Sequence, residues 1–236
     1  MQERYLGDSH DFIKYALLRH LTKELQITLG VNWYLTCPSQ VDKLGNNDGE
    51  KRHHLKGGVW ESSDPELFQK IDVFSDPSKR KLNVMENTGI LPSTTEYVTA
   101  PTLSDDRGHW HTSALSKLVQ AGLIFIDPDN GLEITSMSKK SKPKYALYDE
   151  VADYFQRGQQ VISIQFARQC NPIQRADDVR RRLMEVCGAK SIMPVVRGRT
   201  APNVLFVSVV HDNVAERFGA SLQKFGQNCA KTELVI

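Results

Sequence analysis

The 236 residues carry 30 basic and 28 acidic side chains, a formal net charge of +2. That balance excludes a generic polycation, and the length allows one domain with a substantial core. No apolar stretch is long enough to cross a bilayer, and Met1-Gln2-Glu3-Arg4 lacks the basic-then-apolar pattern of a secretory signal. Cys37, Cys170, Cys187 and Cys229 are too scattered for a zinc knuckle, so a cytoplasmic protein with reduced thiols is expected.

Gly7 to Leu25 predicts an amphipathic helix, capped by Asp8 or Ser9, with Ile13, Leu17, Leu21 and Leu25 recurring every fourth residue. Asp11 and Lys14 lie one turn apart and can pair, worth a few tenths of a kcal/mol if exposed, on the order of 0.2–0.5. His10-Asp11 is the dipeptide of metal phosphohydrolases, but no further helical His or Asp ligands surround it, so that reading is rejected. Val31 to Leu35 predicts the first strand. Thr36 to Gly58 is polar and long for a loop, with Lys51, Arg52, His53 and His54 read as a solvated basic turn.

Asp64-Pro65-Glu66 opens a short helix through Ile71, and Lys81 to Glu86 predicts a second strand ending in an acid. Residues 36–111 leave room for an inserted loop subdomain. Asp105 to His111 reads as a polar loop; its His-x-His pair lacks the further ligands a metal needs. Thr112 to Gln120 predicts a helix that Gly122 stops.

Leu123-Ile124-Phe125-Ile126 then runs into Asp127-Pro128-Asp129-Asn130-Gly131. The apolar run reads as a strand buried on both faces, and ligands of open α/β sheets bind beyond the carboxyl ends of such strands. Two acids at a buried strand end are costly unless they bind something. Pro, Asp, Asn and Gly are also ordinary turn residues, so a plain turn stays open. Lys139, Lys140, Lys142 and Lys144 follow, as a solvated tether or a phosphate grip.

Helices are expected over Tyr145 to Arg157, Ala176 to Val186 and Asn213 to Phe225. Strands are expected over Val161 to Phe166, Ser191 to Val196, Val204 to Val210 and Thr232 to Ile236. The alternation indicates an α/β sheet with helices on both faces, closed by an antiparallel strand pair.

Gly7-Asp8-Ser9-His10-Asp11-Phe12-Ile13-Lys14-Tyr15 resembles the opening helix of the bacterial ribosomal-RNA adenine-N6 methyltransferases. Those enzymes begin with a Gly-Asn-His-Ala-Asp-x-x-Lys-His pattern; the segment is also similar to the three-Cys-motif partner proteins. Leu123 to Gly131 occupies the place of their strand ending in Asp-Pro-Pro-Tyr. The resemblance covers most of the chain in element order, with few matched residues. It implies a Rossmann-like sheet of the class I methyltransferase type and S-adenosylmethionine as cofactor. Lys14, Tyr15, Asp48 and Gly49 would line the cofactor cleft and Glu86 would hold the ribose. The chain departs from the pattern after the first strand, where Cys37 to Asp42 replaces a glycine-rich loop. Asp129 and Asn130 replace a proline and the aromatic residue that stacks on the target base.

Three functions follow. A methyltransferase-like enzyme acting on nucleic acid would use Asp127 to accept a hydrogen bond from the amino group, beside Asn130. Lys139, Lys140, Lys142, Lys144 and Arg168 would contact the substrate. A magnesium-dependent nuclease would use Asp127, Asp129 and Glu86 as hard oxygen ligands, an acid set similar to that of toprim domains. A non-catalytic module binding a nucleotide or a partner is the third.

Overall fold

The computed structural model describes residues 1–37, 51–102, 106–229 and 231–236. Asp8 starts the first helix, α1 (Ser9–Leu25), its carboxylate accepting from the backbone N–H groups of His10 and Asp11. Gln26 ends the helix with a left-handed φ of 52°. Phe12, Ile13, Leu17, Leu18 and Leu21 are wholly buried. Removing a side chain such as Leu17 from water contributes about 2 kcal/mol.

Seven strands form one sheet among the described residues. They are β1 (Leu29–Asn32), β2 (Glu96–Val98), β3 (Leu123–Ile126), β4 (Gln160–Ala167), β5 (Val195–Gly198), β6 (Asn203–Val209) and β7 (Thr232–Val235). Their order is β2-β1-β3-β4-β6-β5-β7. The first four are parallel, β6 runs antiparallel between β4 and β5, and β7 pairs antiparallel with β5. This is the expected Rossmann-like α/β class, with the antiparallel pair β5–β6 near the C-terminus.

Side-chain alternation splits the core in two. Leu123, Phe125, Ile162, Ile164 and Phe206 face α1 and the last helix, Asp212–Asn228. Ile124, Ile126, Val161, Leu205 and Val207 face the helices Arg107–Lys117, Tyr148–Gln156 and Pro172–Cys187. Between β1 and β2 lie further short helices, Val59–Ser63, Pro65–Ile71 and Leu82–Asn87. In chain order the eight helices among the described residues are α1, α2 (Val59–Ser63), α3 (Pro65–Ile71), α4 (Leu82–Asn87), α5 (Arg107–Lys117), α6 (Tyr148–Gln156), α7 (Pro172–Cys187) and α8 (Asp212–Asn228). Trp60, Leu67, Ile71 and Met85 of the inserted stretch join the core on the α1 side. Among the described residues the insertion therefore shares that core.

Several expectations need correction. Lys81 to Glu86 is not a strand: the helix Leu82–Asn87 follows an extended Lys81. Leu82 and Met85, three apart, are buried together, and a run this short satisfies both periods. The second strand is the three-residue Glu96–Val98, too brief to stand out. The first strand ends at Asn32, because the chain leaves the sheet at Trp33 and turns at Tyr34. His109-Trp110-His111 lies inside α5, where His111 Nε2 sits 3.0 Å from Asp153 Oδ2 and the Trp110 indole N–H donates to the carbonyl of Ala100. The basic turn is not wholly solvated: His54 is buried, and Arg52 donates to the carbonyls of Leu6 and Gly7.

Candidate functional site

Beyond β1 the chain moves to β2 on one side, and beyond β3 it moves to β4 on the other. Neighbouring parallel strands with oppositely directed connections leave a crevice at their carboxyl ends, where ligands bind in open α/β sheets. Asp127 stands at that point, its N–H donating to the carbonyl of Asn32 at 3.0 Å. Lys14 reaches it from α1: Nζ is 2.7 Å from Asp127 Oδ2 and 2.6 Å from Asp11 Oδ1. Asp127 Oδ1 takes no hydrogen bond among the described residues.

The cluster continues into the α1 N-terminus. Asp11 Oδ2 accepts from Gly7 N–H at 2.8 Å and from the Tyr15 hydroxyl at 3.2 Å. His10 sets Nδ1 3.2 Å from Asp8 Oδ2 and Nε2 2.9 Å from the Pro202 carbonyl. Both ring nitrogens face acceptors, which only the doubly protonated imidazolium can satisfy.

The titration shifts follow. Burial opposes the Lys14 charge, but the carboxylates of Asp11 and Asp127 more than offset it and hold the ammonium above its usual range. Burial opposes the His10 charge too, and Asp8 outweighs it, raising His10. Burial works against ionised Asp8, yet the His10 hydrogen bond and charge hold it below the usual value. Asp11 goes the other way: burial and the neighbouring carboxylates exceed the pull of Lys14 and raise it.

Asp129 is occupied differently. Its Oδ1 lies 3.1 Å from the Met1 amino group, and its Oδ2 accepts from the Thr36 hydroxyl at 2.6 Å and the Gln2 amide at 3.0 Å. The same amino group donates to the carbonyl of Tyr34 at 2.8 Å. Tyr34 holds a left-handed φ of 46°, a strained conformation for a bulky residue. Asn130 is fixed through its backbone N–H to the Lys144 carbonyl at 2.9 Å. Gly131 turns at φ 89°, where an added Cβ would stand 2.6 Å from Gln165 Oε1.

Asp127 to Asn130, Lys14, Asp8 and His10 line a cleft of about 270 Å³. Tyr5, Phe166 and Pro202 supply its apolar wall, and Lys144 and Arg168 stand among its lining residues. The His10 and Phe166 rings meet edge to face at 5.6 Å, and the Arg168 guanidinium lies 5.1 Å from the Phe166 ring centre.

Of the residues singled out from sequence, the fold brings together Lys14, Asp127, Asp129, Asn130, Lys144 and Arg168. Tyr15 is wholly buried and reaches Asp11 instead of the cleft. Glu86 is exposed on α4 and does not line the cleft; burial raises the Tyr97 hydroxyl, and the Glu86 charge adds to that. Since α4 precedes β2, Glu86 cannot be an acid at that strand's carboxyl end. Lys139 and Lys140 are exposed, and Lys142 is half-buried with its carbonyl taken by Arg107. None of these three lysines lines the cleft. Asp48 and Gly49 lie outside the described residues. Asp11 and Lys14 pair as their spacing allows, and the pair is buried, so the magnitude for an exposed contact does not apply. Met1, Tyr5, Phe166 and Pro202 carried no local signal, and His10 stood out only in a dipeptide whose metal reading is rejected. They come from three separate parts of the chain and meet only in the fold.

A magnesium site is not favoured by this arrangement. Lys14 and the Met1 amino group already neutralise Asp127 and Asp129. Glu86 does not line the cleft with them, and no group of three or more ligating side chains is found among the described residues.

His54 adjoins the cluster, its Nδ1 3.2 Å from Ser9 Oγ, and Nε2 has no partner among the described residues. Burial lowers its pKa from 6.5 to about 4. The unfolded chain therefore binds more protons between those values, and stability falls as pH drops from about 6.5 towards 4. The slope from one group is at most about 1.4 kcal/mol per pH unit. His10, raised above 6.5, keeps its contribution throughout that window. Urea titrations at pH 7, 6 and 5 are expected to show the decline in wild type and a flatter one in His54→Asn; identical slopes would remove His54 as the cause.

The chain matches no family model and no curated protein. It is similar to the crystal structure of protein LPL1258 from Legionella pneumophila, family model DUF519. That likeness spans 97% of this chain and 96% of that one, at 13% identity and a TM-score of 0.45. Among the described residues no helix is long and apolar enough to cross a membrane.

Proposed function

We propose that this protein is a methyltransferase-like enzyme that uses S-adenosylmethionine to methylate an amino nitrogen of a nucleic acid. The observation that carries the reading is Asp127 at the switch point, with one carboxylate oxygen held by Lys14 and the other unclaimed in a cleft. An amino group donating to Oδ1 would be held with its lone pair free for attack. As that nitrogen gains positive charge, the carboxylate interaction strengthens in the transition state. Lys14 orients Asp127 for this and, staying protonated, takes no proton itself. Phe166 and Tyr5 offer the aromatic wall that Asn130 does not, and Arg168 and Lys144 suit a neighbouring phosphate.

The cofactor, when bound, supplies an electrophilic methyl group. The described residues fit it in part. Thr102 donates its N–H to the Leu35 carbonyl beyond β1 and β2, and the buried Trp33 Nε1 and Thr102 Oγ1 have no partner among the described residues. Neither of the two lines the cleft at Asp127, so they would hold the cofactor beside it and not within it. An acid for the ribose is not among them.

That gap favours a second reading, a non-catalytic nucleotide-binding module. Methyl transfer decides between the two. Labelled S-adenosylmethionine is incubated with purified protein and, separately, total RNA, DNA and unfolded protein. Label entering a nucleic acid is expected. Cofactor binding with no transfer to any acceptor would favour the module.

A further inference from the structure

Behind the cleft, two opposite charges are buried that the chemistry above does not use. Arg107 on α5 and Glu150 on α6 are 8% and 5% exposed. The guanidinium donates through Nε to Glu150 Oε1 at 2.6 Å and through one terminal nitrogen to Oε2 at 2.8 Å. Its terminal nitrogens also donate to the carbonyls of Lys142 at 3.1 Å and Tyr145 at 2.6 Å. Glu150 Oε2 accepts further from the Tyr34 hydroxyl at 3.0 Å and the Leu147 N–H at 3.0 Å.

Arg107 and Glu150 each lead back to the Asp127 loop, by different routes. The 142–145 turn, pinned by Arg107, presents the Lys144 carbonyl to Asn130 N–H, and the next residue, Ala146, donates to the Gly131 carbonyl at 3.1 Å. Tyr34, pinned by Glu150, offers the carbonyl that holds the Met1 amino group against Asp129. One buried pair thus anchors both flanks of the loop. A buried ion pair adds little net stability over apolar residues of the same volume, and its best-attested use is to specify one arrangement. The planar fork is required, because a lysine cannot reach a carboxylate in two places and two carbonyls at once.

We propose that the Arg107–Glu150 pair is the positioning element of this site, fixing the loop Asp127–Gly131 through the 142–146 strap and through Tyr34. Only the kinetic consequence rests on the methyltransferase reading.

The test is hydrogen–deuterium exchange on the ligand-free protein for wild type, Arg107→Lys, Glu150→Gln and Tyr34→Phe. For Arg107→Lys and Glu150→Gln, exchange at 127–133 and 142–147 is expected to rise about tenfold or more, with 160–167 and 203–209 unchanged. Tyr34→Phe, which removes one bond, should raise exchange over 33–37 and spare the strap. A uniform rise across the sheet would mark a merely structural pair, and unchanged exchange at the loop would overturn the proposal. Where wild type transfers methyl groups, Arg107→Lys is expected to lower kcat about tenfold with the cofactor KM within a few-fold. A kcat equal to wild type would also overturn it. If wild type transfers nothing, the exchange result decides the proposal while the methyltransferase reading fails separately.

Discussion

Lys14→Met is expected to lower the unfolding free energy by about 3–5 kcal/mol, because it strands buried carboxylates without their cation. Asp11 and Asp127 are 5% and 3% exposed, and Lys14 is the side chain that bonds both. For a chain of this size each kcal/mol moves the melting temperature by roughly 2–4 °C, so a fall of about 10 °C is expected. The pH dependence has a definite sign. Lys14, raised above its unfolded value of 10.5, contributes its full stability at every pH below that value. Asp11 is raised above 3.8, so its folded form takes up protons more readily and its penalty eases as pH falls. Without the lysine that easing begins at higher pH, and the variant's deficit should shrink from pH 7 to pH 5. Thermal melts at both values test this; a variant melting with wild type at pH 7 would contradict the buried cluster.

Asp127→Asn is expected to leave the fold in place and remove the chemistry. The replacement is isosteric, keeps an oxygen for Lys14, and leaves Lys14 paired with Asp11. What it loses is the charge facing the developing cation on the acceptor nitrogen. Removing one preorganised electrostatic contact of this kind lowers kcat by about 10²–10³. Asp129→Asn is the contrast: its partners are the Met1 amino group, Thr36 and Gln2, so its effect should fall mainly on stability. Single-turnover methyl transfer and thermal melts on both variants separate the roles. Equal kcat losses in the two, with equal melting temperatures, would contradict the assignment.

The sheet was legible where apolar runs were long and bounded. Leu123 to Ile126 is β3 as read, because four apolar residues between Gly122 and Asp127 admit a buried strand at the sheet centre. Helix α1 and strand β6 carried equally plain periods, whereas β5 is Val195–Gly198 and overlaps the expected Ser191 to Val196 only at Val195 and Val196. The segment from 81 to 98 was not legible, since Leu82-Asn83-Val84-Met85 fits a strand or a helix turn and only packing on the α1 side decides. The site was half legible. Asp127 and Asp129 announce themselves at a strand end, whereas their partners Lys14 and Met1 are more than a hundred positions away. One local clue to Lys14 existed: Phe12, Ile13, Leu17, Leu18 and Leu21 leave α1 little solvent-facing surface there, so a charge among them has to be buried and paired. Nothing local signals that Arg107 and Glu150 meet across two helices.

The most direct measurement is calorimetric titration of the wild-type protein with S-adenosylmethionine, repeated with Asp127→Asn. A crevice built for that cofactor predicts saturable single-site binding, with a dissociation constant within the range of roughly 1 μM–1 mM common for enzyme ligands. Asp127→Asn should bind within a few-fold of wild type, since Asp127 is assigned to the acceptor. No heat and no thermal stabilisation at millimolar cofactor would contradict the account, and binding abolished by Asp127→Asn would contradict the role given to that residue.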